Sequence, residues 1–168
     1  MQAAQHLIEI RIAVQSRDKK KLKKALNDLD DSQLLKESIE PDVFAIYEWL
    51  LSDPMATAAP GVERIFTNFI GDIHKYSQLQ IAQMVNIFDQ NQSKYVQQML
   101  RHAAADFTAR QYDSRRAFEL FRQWGCRDNS YSRHMALVGA EVLLMSARAA
   151  EIGAEKEVRE LWSSLQNK

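Results

Sequence analysis

The sequence predicts an all-α protein, a single domain of about seven to nine antiparallel helices covering residues 1–168. Three observations lead to this prediction. Apolar residues recur at intervals of three and four along most of the chain, single Gly and Pro residues separate these segments, and no two segments alternate like paired strands. At this length one core can form without disulfides, and the lone Cys126 has no cysteine partner.

The N-terminal part, residues 1–41, has the least regular pattern. Residues 8–14 alternate apolar and polar side chains as a strand would, but no second strand could pair with them, so we predict a helix. Asp18 is the expected N-cap of a lysine-rich helix. Asp31 or Ser32 would cap another short turn through Leu34 and Leu35 to Ile39. Pro41 should end that turn, because the residue before a proline disfavours helix.

Five further helices are predicted between residues 42 and 125. The first begins at Asp42 and ends before a loop over residues 53–60. Pro60 should start the second, whose apolar residues are Val62, Ile65, Phe66, Phe69, Ile70 and Ile73. The expected N-caps of the next three are Ser77, Ser93 and either Asp113 or Ser114. Leu79 and Met99 should point inward, and Gly125 should stop the last of these helices.

The longest apolar segment runs from Tyr131 to Ala150 and predicts a buried central helix, with Met145 among its inward side chains. Asn129 should cap it, and Gly153 should end this region before a last helix through Val158 and Leu165. Charged residues interrupt the segment too often for a membrane span, so we expect no membrane contact. Because the N-terminus has no signal-peptide pattern, we expect a cytoplasmic protein.

Similar apolar pairs recur along the chain, at intervals of 41, 33 and 41 residues. They are Ile46 and Tyr47, Ile87 and Phe88, Leu120 and Phe121, and Leu161 and Trp162. Residues 84–90 (MVNIFDQ) also align without a gap on residues 117–123 (AFELFRQ). This spacing resembles the α-solenoid repeat families, which stack helical hairpins and present a concave binding surface. The resemblance implies repeat-like stacking, while an irregular helical bundle would produce the same apolar pairs.

No segment unites a nucleophile, a base and a polarising group, so we assign no catalytic residue, cofactor or metal. His102 and Asp106 share a helix face but lack further metal ligands. Glu-x-x-Glu pairs occur at 37–40 and 157–160, and all-helical nucleotide pyrophosphatases resemble this in holding magnesium with acidic pairs on neighbouring helices. That resemblance implies a metal-dependent enzyme as a second alternative, although no Glu-x-x-Asp partner follows. Cys126 is interpreted as structural.

Basic residues concentrate in two stretches, 17–24 and 101–133, and the second contains seven arginines. Arg115 and Arg122 are seven residues apart and should lie on one helix face, although Arg115 could also pair with Glu119. The predicted partner-binding residues are Arg110, Tyr112, Arg115, Arg116, Arg122, Arg127 and Arg133.

The functional prediction is a non-catalytic helical scaffold that binds a protein partner, as an adaptor, inhibitor or regulatory subunit. The main alternative is a nucleic-acid-binding protein, in which the arginines hold phosphates while Tyr112, Trp124 and Tyr131 stack on bases. A helix-turn-helix over residues 113–138 is a further version, although its connection is long and Phe121 stands where a small residue is usual. The total charge of zero does not choose between these partners, and the sequence does not indicate an oligomeric state.

Overall fold

The structure, a computed structural model, describes residues 2–65, 73–94, 96 and 98–167. Within these residues there is no strand, and the predicted all-α class is confirmed. The α-helices are α1 (Gln2–Ser16), α2 (Lys19–Gln33), α3 (Pro41–Ser52), α4 (Pro54–Thr57), α5 (Gln78–Gln90), α6 (Gln98–Gln111), α7 (Ser114–Cys126), α8 (Ser130–Met145), α9 (Arg148–Glu151) and α10 (Glu155–Gln166). Two 3₁₀ turns cover Val62–Arg64 and Ile73–Lys75.

Four helix starts are set by the predicted N-cap side chains. The carboxylates of Asp18 and Asp113 each accept a hydrogen bond, 3.0 Å long, from the amide of the third helical residue. Ser77 forms a full capping box with Gln80, and Asn129 accepts from the Tyr131 amide at 2.9 Å. Each cap supplies an acceptor to amides that have no partner inside the helix. These four predictions are confirmed. Sequence could predict them because capping depends only on residues that are close along the chain.

The N-terminal elements differ from the prediction in extent. Residues 8–14 are helical, as predicted, but α2 runs through Asp31 and Ser32 to Gln33, so neither residue caps a new turn. The Ser32 hydroxyl instead donates to the Leu29 carbonyl inside the same helix, a bond that competes with capping. Pro41 does not end a helix either. It starts α3, where its missing amide hydrogen costs nothing.

Two predicted starts near the middle of the chain are wrong. Pro60 lies in a turn before Gly61, whose φ of +94° is left-handed, so no α-helix begins at Pro60. The rest of that predicted helix, residues 66–72, lies outside the described residues. Ser93 does not cap α6, which begins at Gln98. The Ser93 carbonyl instead accepts a hydrogen bond from the Arg101 guanidinium.

The predicted central helix is shorter than expected, and three side chains that were expected to be buried are exposed. Helix α8 ends at Met145, and Ala147 follows in a left-handed conformation with φ of +62°. Met145, Leu79 and Met99 are exposed by 77%, 69% and 61%, although their spacing predicted burial. Helical periodicity identifies a face, but the width of that face is set by the neighbouring helices, which the local pattern does not reveal. Gly125 lies inside α7 and does not terminate it.

The chain forms two compact units, and the prediction of a single domain stays a prediction. Unit 1 consists of Met1–Asn91 and Tyr95–Leu100, and unit 2 of Gln92–Lys94 and Arg101–Lys168. In unit 1 helix α1 packs on α2 and α3 around fully buried side chains: Ile10, Leu22, Leu26, Leu29, Tyr47 and Leu50. In unit 2 helix α8 packs on α7, α9 and α10, and the largest fully buried side chains are Phe121, Trp124, Met135 and Leu143.

Repeat-like stacking is not confirmed by the burial of the recurring apolar pairs. Ile46 and Tyr47 in α3 are both buried, whereas Leu161 and Trp162 in α10 are both half-buried. Equivalent repeats would give the paired residues equivalent surroundings.

None of the helices in the described part of the chain has the length and apolar content that crossing a lipid bilayer requires.

Candidate functional site: the basic face of helix α7

Helix α7 separates its side chains into a buried side and an exposed side more sharply than its neighbours do. The buried residues are Ser114, Ala117, Phe118, Phe121, Trp124 and Gly125. The exposed residues are Arg115, Arg116, Glu119, Arg122, Gln123 and Cys126. At 100° per residue the exposed set covers about one third of the circumference. We call this exposed set the α7 basic face.

The buried side of α7 is held by close contacts with its two neighbours. The rings of Phe121 and Trp124 lie 5.4 Å apart, and both side chains are fully buried. Phe121 packs directly on Gly139 of α8, where an added Cβ would overlap the ring. Gly125 faces α10, since a Cβ there would lie 3.2 Å from Leu165 Cδ2. Both glycines therefore allow helices to approach α7 closely, and the basic face is presented on a tightly packed support.

Two arginines near or on this face are held by acidic neighbours of their own helix. Arg122 pairs with Glu119 at 3.1 Å, and its guanidinium lies 5.4 Å above the Phe118 ring. The other pairing open to Glu119, with Arg115, is not formed. Arg110 in α6 pairs with Asp106 at 3.1 Å, which is the ordinary i, i+4 arrangement. Such exposed pairs contribute little to stability, but they partly neutralise the arginines concerned.

Arg115 and Arg116 differ from these two arginines. Both are exposed, and within the described part of the chain neither makes a side-chain hydrogen bond or ion pair. They also occupy the first turn of α7, where the helix dipole and their mutual repulsion disfavour positive charge. Asp113 is the nearby acid, and its carboxylate accepts from the Arg116 backbone amide. Two adjacent guanidiniums thus occupy an unfavourable position without a compensating side chain.

Arg127 and Arg133, also predicted as binding residues, are occupied by internal interactions. Both are half-buried beside the connection from α7 to α8. Arg127 donates to the Gln92 side-chain carbonyl at 2.8 Å, and the Ser132 hydroxyl donates to the same oxygen. Arg133 donates to the Arg127 backbone carbonyl at 3.1 Å. These two arginines therefore stabilise a loop, and the predicted set divides into an exposed group on α7 and a structural group after it.

Gln92 is the residue of this region that sequence reasoning missed. Its side chain is buried, and its backbone carbonyl accepts from Asn129 at 2.7 Å in addition to the bonds at its side chain. The partners lie 35 to 40 positions further along the chain. Sequence alone could not identify Gln92 as a buried acceptor for distant residues, because a glutamine between two helices is usually exposed.

The aromatic residues that would stack on bases are engaged elsewhere. Trp124 is fully buried. Tyr131 is half-buried, and the Arg101 guanidinium lies 4.6 Å from its ring centroid. Arg101 is itself buried and donates to the Ser93 carbonyl, and burial lowers the pKa of its guanidinium below the ordinary value. Tyr112 is half-buried and lies with Asp113 in the two-residue connection between α6 and α7. The α7 basic face therefore offers charge without a platform of exposed rings.

The acidic and histidine candidates do not converge on a metal site in the described part of the chain. No group of three or more His, Cys, Asp or Glu residues lies close enough there to hold an ion. Asp106 bonds Arg110, while His102 is exposed. Glu40 pairs with Lys36 at 3.1 Å, and Glu157 and Glu160 are exposed on α10. Comparison with known proteins finds no matching family, no matching curated protein and no matching solved structure.

Proposed function

We propose that this protein is a cytoplasmic, non-catalytic helical scaffold that binds an acidic segment of a partner protein through the α7 basic face. The observation that carries the proposal is the pair Arg115 and Arg116, which are exposed, adjacent and without a side-chain partner in the described chain. Positive charge in the first turn of a helix breaks a common rule of helix composition, and positions that break such rules are often functional. An acidic partner would supply the carboxylates that the chain itself does not provide.

The chemistry of the face favours carboxylates presented by a folded partner. A guanidinium can bind a carboxylate with two parallel hydrogen bonds, and arginine is enriched among residues that dominate interface energies. Glu119 stands between Arg115 and Arg122 on the same face. An acid at this position favours a partner with a matching pattern of charges over a uniform row of phosphates. Phe118, over which the Arg122 guanidinium lies, is buried and belongs to the support of the face.

Nucleic acid is the alternative that the same arginines would serve. Phosphate binding releases counterions, so its affinity falls with a log–log slope of about −0.9 per phosphate contact in duplex DNA. A packed protein interface depends less on salt, because its apolar contacts are not screened. The salt slope therefore separates the two partners. Loss of binding in an arginine variant does not separate them, since both partners require these arginines.

The test compares wild-type protein with the Arg115→Glu/Arg116→Glu variant in affinity capture from native lysate, with and without nuclease. Lys156→Glu is the matched control, because Lys156 is an exposed cation in α10 of the same unit. We expect one stoichiometric protein that survives nuclease, is retained by Lys156→Glu and is lost in the double variant. The captured protein should then bind purified wild type with a shallow salt slope.

Recovery of RNA or DNA alone, lost on nuclease treatment and with a steep salt slope, would contradict the proposal. So would a protein partner whose binding is unchanged by the double variant. Circular dichroism of each variant should match wild type, because both arginines are exposed and make no side-chain contacts that folding requires.

A further inference from the structure

We draw no further inference here: the strongest candidate, the groove between α1 and α2 with the exposed Ile8 and Ile12 beside it, carries no proposal because nothing in the described part of the chain shows what covers this face.

Discussion

Helices α2 and α7 begin in the same way but carry different types of cation. Each is capped by an aspartate that accepts the amide of the third helical residue at 3.0 Å, and neither has an acid in its first turn. In α2, Lys24 pairs with Asp28 and Lys23 lies 3.9 Å from Glu63. In α7, Arg122 pairs with Glu119, whereas Arg115 and Arg116 of the first turn form no ion pair with any described residue. Lys19, Lys20 and Lys21 in the first turn of α2 form none either. The two helices therefore leave comparable cations exposed, and what differs is the type of cation.

The type of cation follows the division of the chain into two units. Unit 1 contains most of the lysines, including five in α2, whereas most of the arginines belong to unit 2. Lysine is a compact, strongly hydrated charge on a flexible stem, and it tolerates many arrangements of its partner. Arginine presents a flat fork that binds a carboxylate in a defined orientation. The lysines of α2 thus supply charge without a preferred orientation, and the α7 basic face suits directional recognition.

The largest expected effect is a loss of stability on truncating a fully buried side chain of α7. Trp124 is fully buried, so Trp124→Ala should reduce the free energy of unfolding by about 3–5 kcal/mol through lost burial and a cavity. Hydrogen exchange should show faster exchange in α7, α8 and α10 and little change in α1 to α3. Leu22→Ala in α2 should produce the reverse pattern. If either substitution accelerates exchange equally in both units, the units are not energetically separate, and the comparison loses its basis.

A somewhat smaller loss is expected from overfilling the contact between α7 and α8. A methyl group at position 139 would overlap the ring of Phe121, so Gly139→Ala should cost about 1–3 kcal/mol of stability, measured by urea unfolding. Adding Phe121→Leu to the same chain should recover part of the loss, because the smaller side chain vacates the space. Absence of recovery would mean that the glycine serves another purpose.

Removing the two aspartate caps should have matched effects in α2 and α7. Asp18→Ala and Asp113→Ala should each cost about 1 kcal/mol, because each leaves an N-terminal amide without its acceptor. Asp18→Asn and Asp113→Asn keep an acceptor and remove the negative charge, so their smaller losses would measure the charge alone. Thermal unfolding at fixed pH is the measurement. A strongly unequal pair of alanine effects would show that the resemblance between the two helix starts is superficial.

The smallest effect should have the opposite sign. Arg115→Gln removes an unpaired positive charge from the first turn of α7 and should raise stability by about 0.3–1 kcal/mol at low ionic strength. The gain should shrink as salt is added, since salt screens the helix dipole. Lys24→Gln, which removes the paired lysine of α2, should give no gain. A destabilising Arg115→Gln would show that this arginine supports the fold, and would weaken its assignment to partner binding.

The parts of the fold that could be predicted from sequence depend on near neighbours. Four N-caps, the helical state of residues 8–14 and the amphipathic division of α7 follow from side chains within one or two turns of each other. The errors concern features set by distant residues. Gly125 resembles a helix stop in sequence, yet it lies within α7 and its missing side chain leaves room for Leu165 of α10.

The candidate site divides in the same way. The spacing of Arg115 and Arg122 places them on one helix face, and both side chains are exposed in the structure. Sequence could not separate them from Arg127 and Arg133, because those two are engaged through Gln92 and through a backbone carbonyl of the following loop. An arginine count therefore overestimates the exposed charge wherever a distant polar residue can draw a guanidinium into the structure.

The buried Gln92 has a practical consequence for anyone who expresses unit 2 as a separate fragment. A fragment that starts at Arg101, the first residue of the long segment of this unit, would lack the residue to which Arg127, Asn129 and Ser132 are hydrogen-bonded. Ser132 would then keep a fully buried hydroxyl without that acceptor. The fragment boundary belongs before Gln92, even though the residues just after Lys94 are part of unit 1.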